Sequence, residues 1–210
     1  MRSKILTLSA VFAVMAMLAT PVLAGNVPTV QRMNEDGGLT AADLASALVG
    51  GGVTISNATY TGSASASGLF SGADSTNGLP FASGVLLTSG DANFFETDSN
   101  TSDAATLDNG LSGDSDLNSL IPGYVTYDAS VLEFDFVLDS DTDDAVFFQY
   151  VFGSEEYNEY VGSSYNDVFG FFFTDGTTTT NVALIPGTST PVAINNVNNG
   201  SNAAYYIDND

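Results

Sequence analysis

From Val53 onward the chain reads as short strands separated by turn residues, and in two runs apolar and polar residues alternate with a period of two, the spacing of a strand with one face buried. The run Val131 to Leu138 places Leu132, Phe134, Phe136 and Leu138 on one face and Glu133 and Asp135 on the other. Val53 to Tyr60 is β-branched and alternating in the same way. Ala145 to Phe152 and Val168 to Thr174 are apolar on both faces, as central strands of a sandwich are. Gly84 to Thr88, Val182 to Ile185, Val192 to Ile194 and Ala203 to Ile207 add four short candidates. Gly25 to Gly38 reads as loop, and Ser63 to Ser83, rich in Gly, Ser and Ala, as loops around a short edge strand. Helical spacing occurs once, over Leu39 to Val49. There Leu44, Leu48 and Val49 share a face, Thr40 and Asp43 are spaced as a capping box, and Gly50 to Gly52 end the run. The pattern therefore predicts a mainly β fold, a β-sandwich or jelly roll, with one short N-terminal helix. Ser89 to Leu120 has little periodicity and many Asp, Asn, Ser and Gly, so it reads as a long functional or disordered loop.

The first 24 residues change the picture. Arg2 and Lys4 precede an uncharged apolar run from Ile5 to Ala19, and Val22 and Ala24 fit the small-residue rule of a signal-peptidase site. The expected mature chain begins at Gly25, is secreted or carried at the cell surface, and has no second apolar run long enough to span a bilayer. Its remaining 186 residues suit one domain. Loss of Arg2 and Lys4 leaves Arg32 as the one basic side chain against 25 acidic ones, a formal charge of −24. Nucleic acid is excluded as a partner, because phosphate contacts need Lys and Arg. The expected partner is an extracellular glycan or protein. With no Cys, His or mature Lys, disulfides, His/Cys zinc sites, His-based triads and Schiff-base chemistry are excluded as well. Ca²⁺ is the natural counter-charge for so many carboxylates.

Two acidic constellations are candidates for a site. Glu155, Glu156, Asn166 and Asp167 lie between two apolar runs with no Lys, Arg or His near them. Adjacent glutamates point to opposite faces of a regular strand, so a turn after Gly153 is needed to bring both to one place. A hairpin would return Asp167 beside them. That arrangement suits a Ca²⁺ cluster, carboxylates capping the turn's own N–H groups, or the acid pair of a carbohydrate-active enzyme. The absence of Trp removes the commonest sugar platform and weighs against the enzyme. In the second constellation, Asp114, Asp116 and Asn118 alternate like the first ligands of a calcium loop, but the glycine and the terminal glutamate of an EF-hand are missing. Asp139, Asp141 and Asp143 repeat the spacing in what reads as a solvated turn.

The run Phe147 to Tyr157, followed by Asn166 to Phe172, closely resembles the choice-of-anchor L domain of bacterial surface and exported proteins. Leu48 to Asn57, Gly84 to Gly90, Gly113 to Leu117, Leu132 to Phe136, Asn181 to Gly187 and Val192 to Asn198 resemble its other blocks in order, over about Leu39 to Asn209. The resemblance implies a β-rich extracellular module and attachment by varied C-terminal signals, and brings no defined reaction. Members usually continue past the point where this sequence stops, so either further strands and an anchor follow Asp210, the favoured expectation, or the protein is released rather than anchored. The expected role is binding, adhesion or matrix structure.

Overall fold

The structure, a computed structural model, describes residues 6–11 (backbone pairing only), 28–33, 38–73, 79–96, 107–139 and 145–208. Nine strands and two short helices are found among them: β1 (Leu6–Val11), β2 (Thr29–Arg32), α1 (Ala41–Leu48), β3 (Val53–Thr61), β4 (Ser67–Ser71), β5 (Ser83–Leu87), α2 (Ser115–Leu120), β6 (Val131–Leu138), β7 (Val168–Thr174), β8 (Thr179–Asn181) and β9 (Val192–Ala193). All the ladders are antiparallel. The larger sheet has the order β3-β6-β1-β7-β8, with β9 also paired to β7, and the smaller has the order β2-β4-β5.

The alternating pattern of β6 is realised as expected. Leu132, Phe134 and Phe136 are buried while Glu133 faces solvent. They meet Phe169 and Phe171 of β7, Val85 and Leu87 of β5, and Leu44 and Ala45 of α1 in one core between the layers. A second cluster, around Val30, Phe70, Leu86 and Phe95, covers the other face of the small sheet. Beneath the large sheet, α2 lays Leu117 against Val168 and Phe172. β7 is therefore buried on both faces, which is why its sequence is a continuous apolar run.

Local chemistry accounts for the details. Thr40 caps α1 by accepting from the Asp43 amide (3.3 Å), and the Asp43 carboxylate returns to the Thr40 amide (2.8 Å). In β3 the inward set changes from Val53 and Ile55 to Ala58 and Tyr60 across a bulge between Ser56 and Thr59. Asn57 absorbs the extra residue at φ 54° and donates to Asp135 at 2.7 Å.

Several expectations are corrected. The helix lies after β2 rather than at the start of the fold, and a second short helix, α2, falls in the segment read as loop. β2 falls within the stretch read as loop, and β4 is the centre of its sheet, not an edge. Small residues hide such a strand, and Gly68 shows why they are there: a Cβ would sit 2.4 Å from the Gln31 carbonyl oxygen. Residues 203–205 form a 3₁₀ turn rather than a strand. The 182–185 segment is no strand either: β8 ends just before it, and Leu184 makes only an isolated bridge to Pro191. Ala145 to Phe152 forms no strand, because the place between β6 and β7 is taken by β1, from the segment read as a leader. The rest of the leader lies outside the described residues, as do Asp141 and Asp143.

Candidate functional site

Between Phe152 and Val168 the chain runs outside the sheet in a series of turns. Their geometry is fixed by hydroxyl and amide side chains. Ser154 is buried; its hydroxyl donates to Asp167 Oδ2 at 2.7 Å and accepts from the Glu156 amide at 3.1 Å. Asn166 accepts from the Asn195 amide at 2.9 Å, and the Asp167 carbonyl accepts from Ile194 at 3.1 Å. Asn195 in turn accepts from the Gly162 amide and donates to the Tyr124 hydroxyl at 3.2 Å. The Tyr157 hydroxyl donates to the Val197 carbonyl, and its ring packs on Tyr206 with centroids 5.0 Å apart. The excursion is thereby tied to the 192–206 segment on one side and to Tyr124 on the other.

A cleft of about 870 Å³ opens between this excursion and the 107–130 segment. Its carboxylates are Asp91, Asp108, Asp128, Glu155 and Asp167; its apolar wall includes Phe94, Leu117 and Ile121. Tyr127 and Tyr165 also line it, 72% and 58% exposed, so two aromatic rings are open to a ligand. The 107–130 wall is held by the same kind of turn chemistry. Asp128, at φ 50°, accepts from the amides of Asn109 (3.1 Å) and Leu111 (2.6 Å). Asn118 Oδ1 accepts from the Thr126 amide at 2.7 Å. Gly113 is required where it stands, since a Cβ would overlap the Thr126 carbonyl oxygen at 1.9 Å. Asp91 is braced by Arg32 at 3.5 Å and by the Asn93 amide at 2.9 Å.

Asp167 is the electrostatic feature of the cleft. It keeps some accessible surface at the wall, but protein surrounds its carboxyl on nearly all sides. Burial pushes its pKa up to about 6 from an ordinary 3.8; the Ser154 hydrogen bond opposes the rise and the Glu155 charge adds to it. The Tyr157 hydroxyl is raised as well, by burial first and then by the charges of Tyr206 and Asp167.

A run of turns, not the hairpin expected from sequence, brings Asp167 back to the glutamates: Ser154 links it to the Glu156 amide, and Glu155 is near enough to act on it. Glu155, Glu156 and Asn166 are half-buried. Asp114 and Asp116 do not join them. Asp114 is the N-cap of α2 and accepts from the amides of Asp116 (2.8 Å) and Leu117 (3.0 Å), while Asp116 is exposed in the first turn. Among the described residues no three Asp or Glu side chains form a group that could hold a metal ion. Ser154, Asn195, Tyr124 and Asp128 were not legible as site residues. Each is a single polar side chain with at least one partner 13 or more residues away along the chain.

These features define a two-layer β module with an acidic, tyrosine-bearing cleft at one end of its large sheet. The chain belongs to the choice-of-anchor L domain family, whose model matches residues 32–209. Membership makes it a module of a surface or exported protein. No curated protein matches the chain, and no solved structure does. No helix among the described residues is long and apolar enough to cross a membrane.

Proposed function

We propose that this is a secreted or cell-surface binding module, acting in adhesion or matrix structure, whose cleft takes a neutral or amino-sugar glycan. The observation that carries this reading is the pairing of exposed Tyr127 and Tyr165 with carboxylates around one cleft. Sugar rings stack their C–H faces on aromatic rings, and their hydroxyls donate to carboxylate oxygens. Capping does not exhaust those oxygens: a carboxylate has about four lone-pair sites, and Asp128 spends two on backbone amides. The uncompensated negative charge disfavours acidic polysaccharides and favours an ammonium-bearing sugar. Ca²⁺ belongs to this reading as diffuse counter-charge to the acidic surface, so millimolar Ca²⁺ and Mg²⁺ should raise the unfolding temperature alike.

The test is titration with chito-oligosaccharide amine and with a neutral cello-oligosaccharide, followed by tyrosine fluorescence, which no Trp obscures. Saturable binding is expected, weakened about tenfold or more in Tyr165→Ala, which is about 1.4 kcal/mol. Binding that ignores both Tyr165→Ala and Glu155→Gln would remove the cleft from the account. One observation favours an enzymatic alternative: a carboxyl held protonated up to about pH 6, as Asp167 is, has the property a glycosidase's general acid requires. Glycan cleavage that is lost in Asp167→Asn, with folding intact, would establish that alternative. Binding without turnover would set it aside.

A further inference from the structure

The middle of the large sheet is completed by a strand that does not belong to the matched domain. β1 (Leu6–Val11) pairs with β6 on one side and β7 on the other. The family match begins at Arg32, and β1 lies in the apolar run that the sequence reads as a leader removed after Ala24. Without β1, β6 and β7 would face each other across an empty strand position. Each would carry a row of unpaired N–H and C=O groups in the centre of a sheet.

We propose that Ala145–Phe152 is the strand that occupies this position once the leader is gone, so that export exchanges one strand for another. The inference rests on leader removal and is independent of the glycan reading. Three observations support it. First, the segment is apolar yet outside every ladder, with Phe147 92% exposed. Second, its rings already meet those of β7 in antiparallel order. Phe148 packs on Phe171 and Tyr150 on Phe169, with ring centroids 4.6 and 4.7 Å apart. One partner advances two residues as the other retreats two, the order of an antiparallel pair. Third, the strand direction at this position is the one the chain needs. β1 is antiparallel to both neighbours, so the direction of its position is the one a chain takes on turning back from β6 before entering β7. Through β1, Phe171 stands level with Leu132 and Phe173 with Phe134. The same register therefore sets Phe148 opposite Leu132 and Val146 opposite Phe134. Consecutive strands would become neighbours, as they usually are, and the even-numbered side chains would join the aromatic core.

The test compares the exported chain, its N-terminus confirmed by mass, with the full chain retained in the cytoplasm, both by hydrogen exchange. In the exported form the amides of Ala145–Phe152 should exchange on the order of a hundredfold or more slower than in the full chain. As a second measurement, Phe147→Cys with Glu133→Cys places two thiols in a chain that has no other. Given the same mild oxidant after purification, the two thiols should join as a disulfide in the exported chain and not in the full chain. Equal exchange in both forms overturns the proposal. So does an exported chain that keeps residues 6–11 paired, or one that fills the position by dimerising, with exchange protection that vanishes on dilution.

Discussion

Two carboxylates of this protein accept a hydroxyl hydrogen bond in nearly the same way and are driven in opposite directions. Asp43 accepts from the Thr40 hydroxyl at 2.7 Å and from its amide, stands in open solvent, and has its pKa lowered by those two bonds. Asp167 accepts from the Ser154 hydroxyl at 2.7 Å and is raised to about 6. The bond is the same; the surroundings are not. In water the hydrogen bond decides and the charged form is favoured, whereas in the cleft wall the loss of solvation outweighs it. At the helix start the carboxylate holds the fold, and in the cleft it is strained by it. Such strain persists where a site has a use for it.

The comparison can be broken most forcefully at Asp167. Its folded pKa lies above the unfolded value, so its contribution to stability is complete below about pH 4 and is lost as pH rises through 6. The loss amounts to about 3 kcal/mol on the order-of-magnitude scale of 1.4 kcal/mol per pK unit. Asp167→Asn keeps an acceptor for Ser154 and removes the charge. Its unfolding temperature should exceed that of the wild type by several degrees at pH 8 and match it near pH 4, as read by calorimetry. A variant less stable than the wild type at pH 8 would mean that the ionised carboxylate is doing structural work.

Smaller effects sharpen the contrast. Ser154→Ala removes the one interaction that favours the Asp167 carboxylate. It should move the Asp167 titration still higher, visible in carboxyl-carbon NMR, and lower stability by about 1 kcal/mol. Asp114→Ala takes the cap from α2 and should cost about 1 kcal/mol in urea denaturation. Leu117 of the same helix lies against β7, so the loss should loosen the cleft wall as well. Asp43→Asn gives the smallest change and the opposite sign of pH dependence. Its stabilisation is present above the unfolded pKa and fades as pH falls through the folded one, so the variant should differ from the wild type at neutral pH and converge with it in acid.

What could be read in advance followed the same division between local and distant causes. The capping box of α1, the alternation of β6 and the two-faced run of β7 are local patterns, and each formed as its residues dictate. Of the small sheet only β5 was legible, as Gly84 to Thr88; β2 and the central place of β4 were not, since Gly68 in β4 serves close approach to a neighbouring strand, not hydrophobicity. Nor was the fate of Ala145–Phe152. Its sequence has the composition of a central strand, and the competitor for that place lies more than a hundred residues away. In the site, the return of Asp167 to Glu155 and Glu156 was expected from a hairpin and is made instead by a run of turns. The bracing by Asn195 and Tyr124 could not be expected, because amide and phenol partners carry no sequence spacing.

The most direct test of the cleft is the titration of Asp167 itself, followed by its carboxyl-carbon resonance from pH 3 to pH 9 with and without chito-oligosaccharide amine. A midpoint near 6 in the free protein, falling as the ammonium-bearing sugar saturates the cleft, is the expected result. A midpoint near the ordinary 3.8 that no sugar moves would contradict both the buried acid and the site built around it.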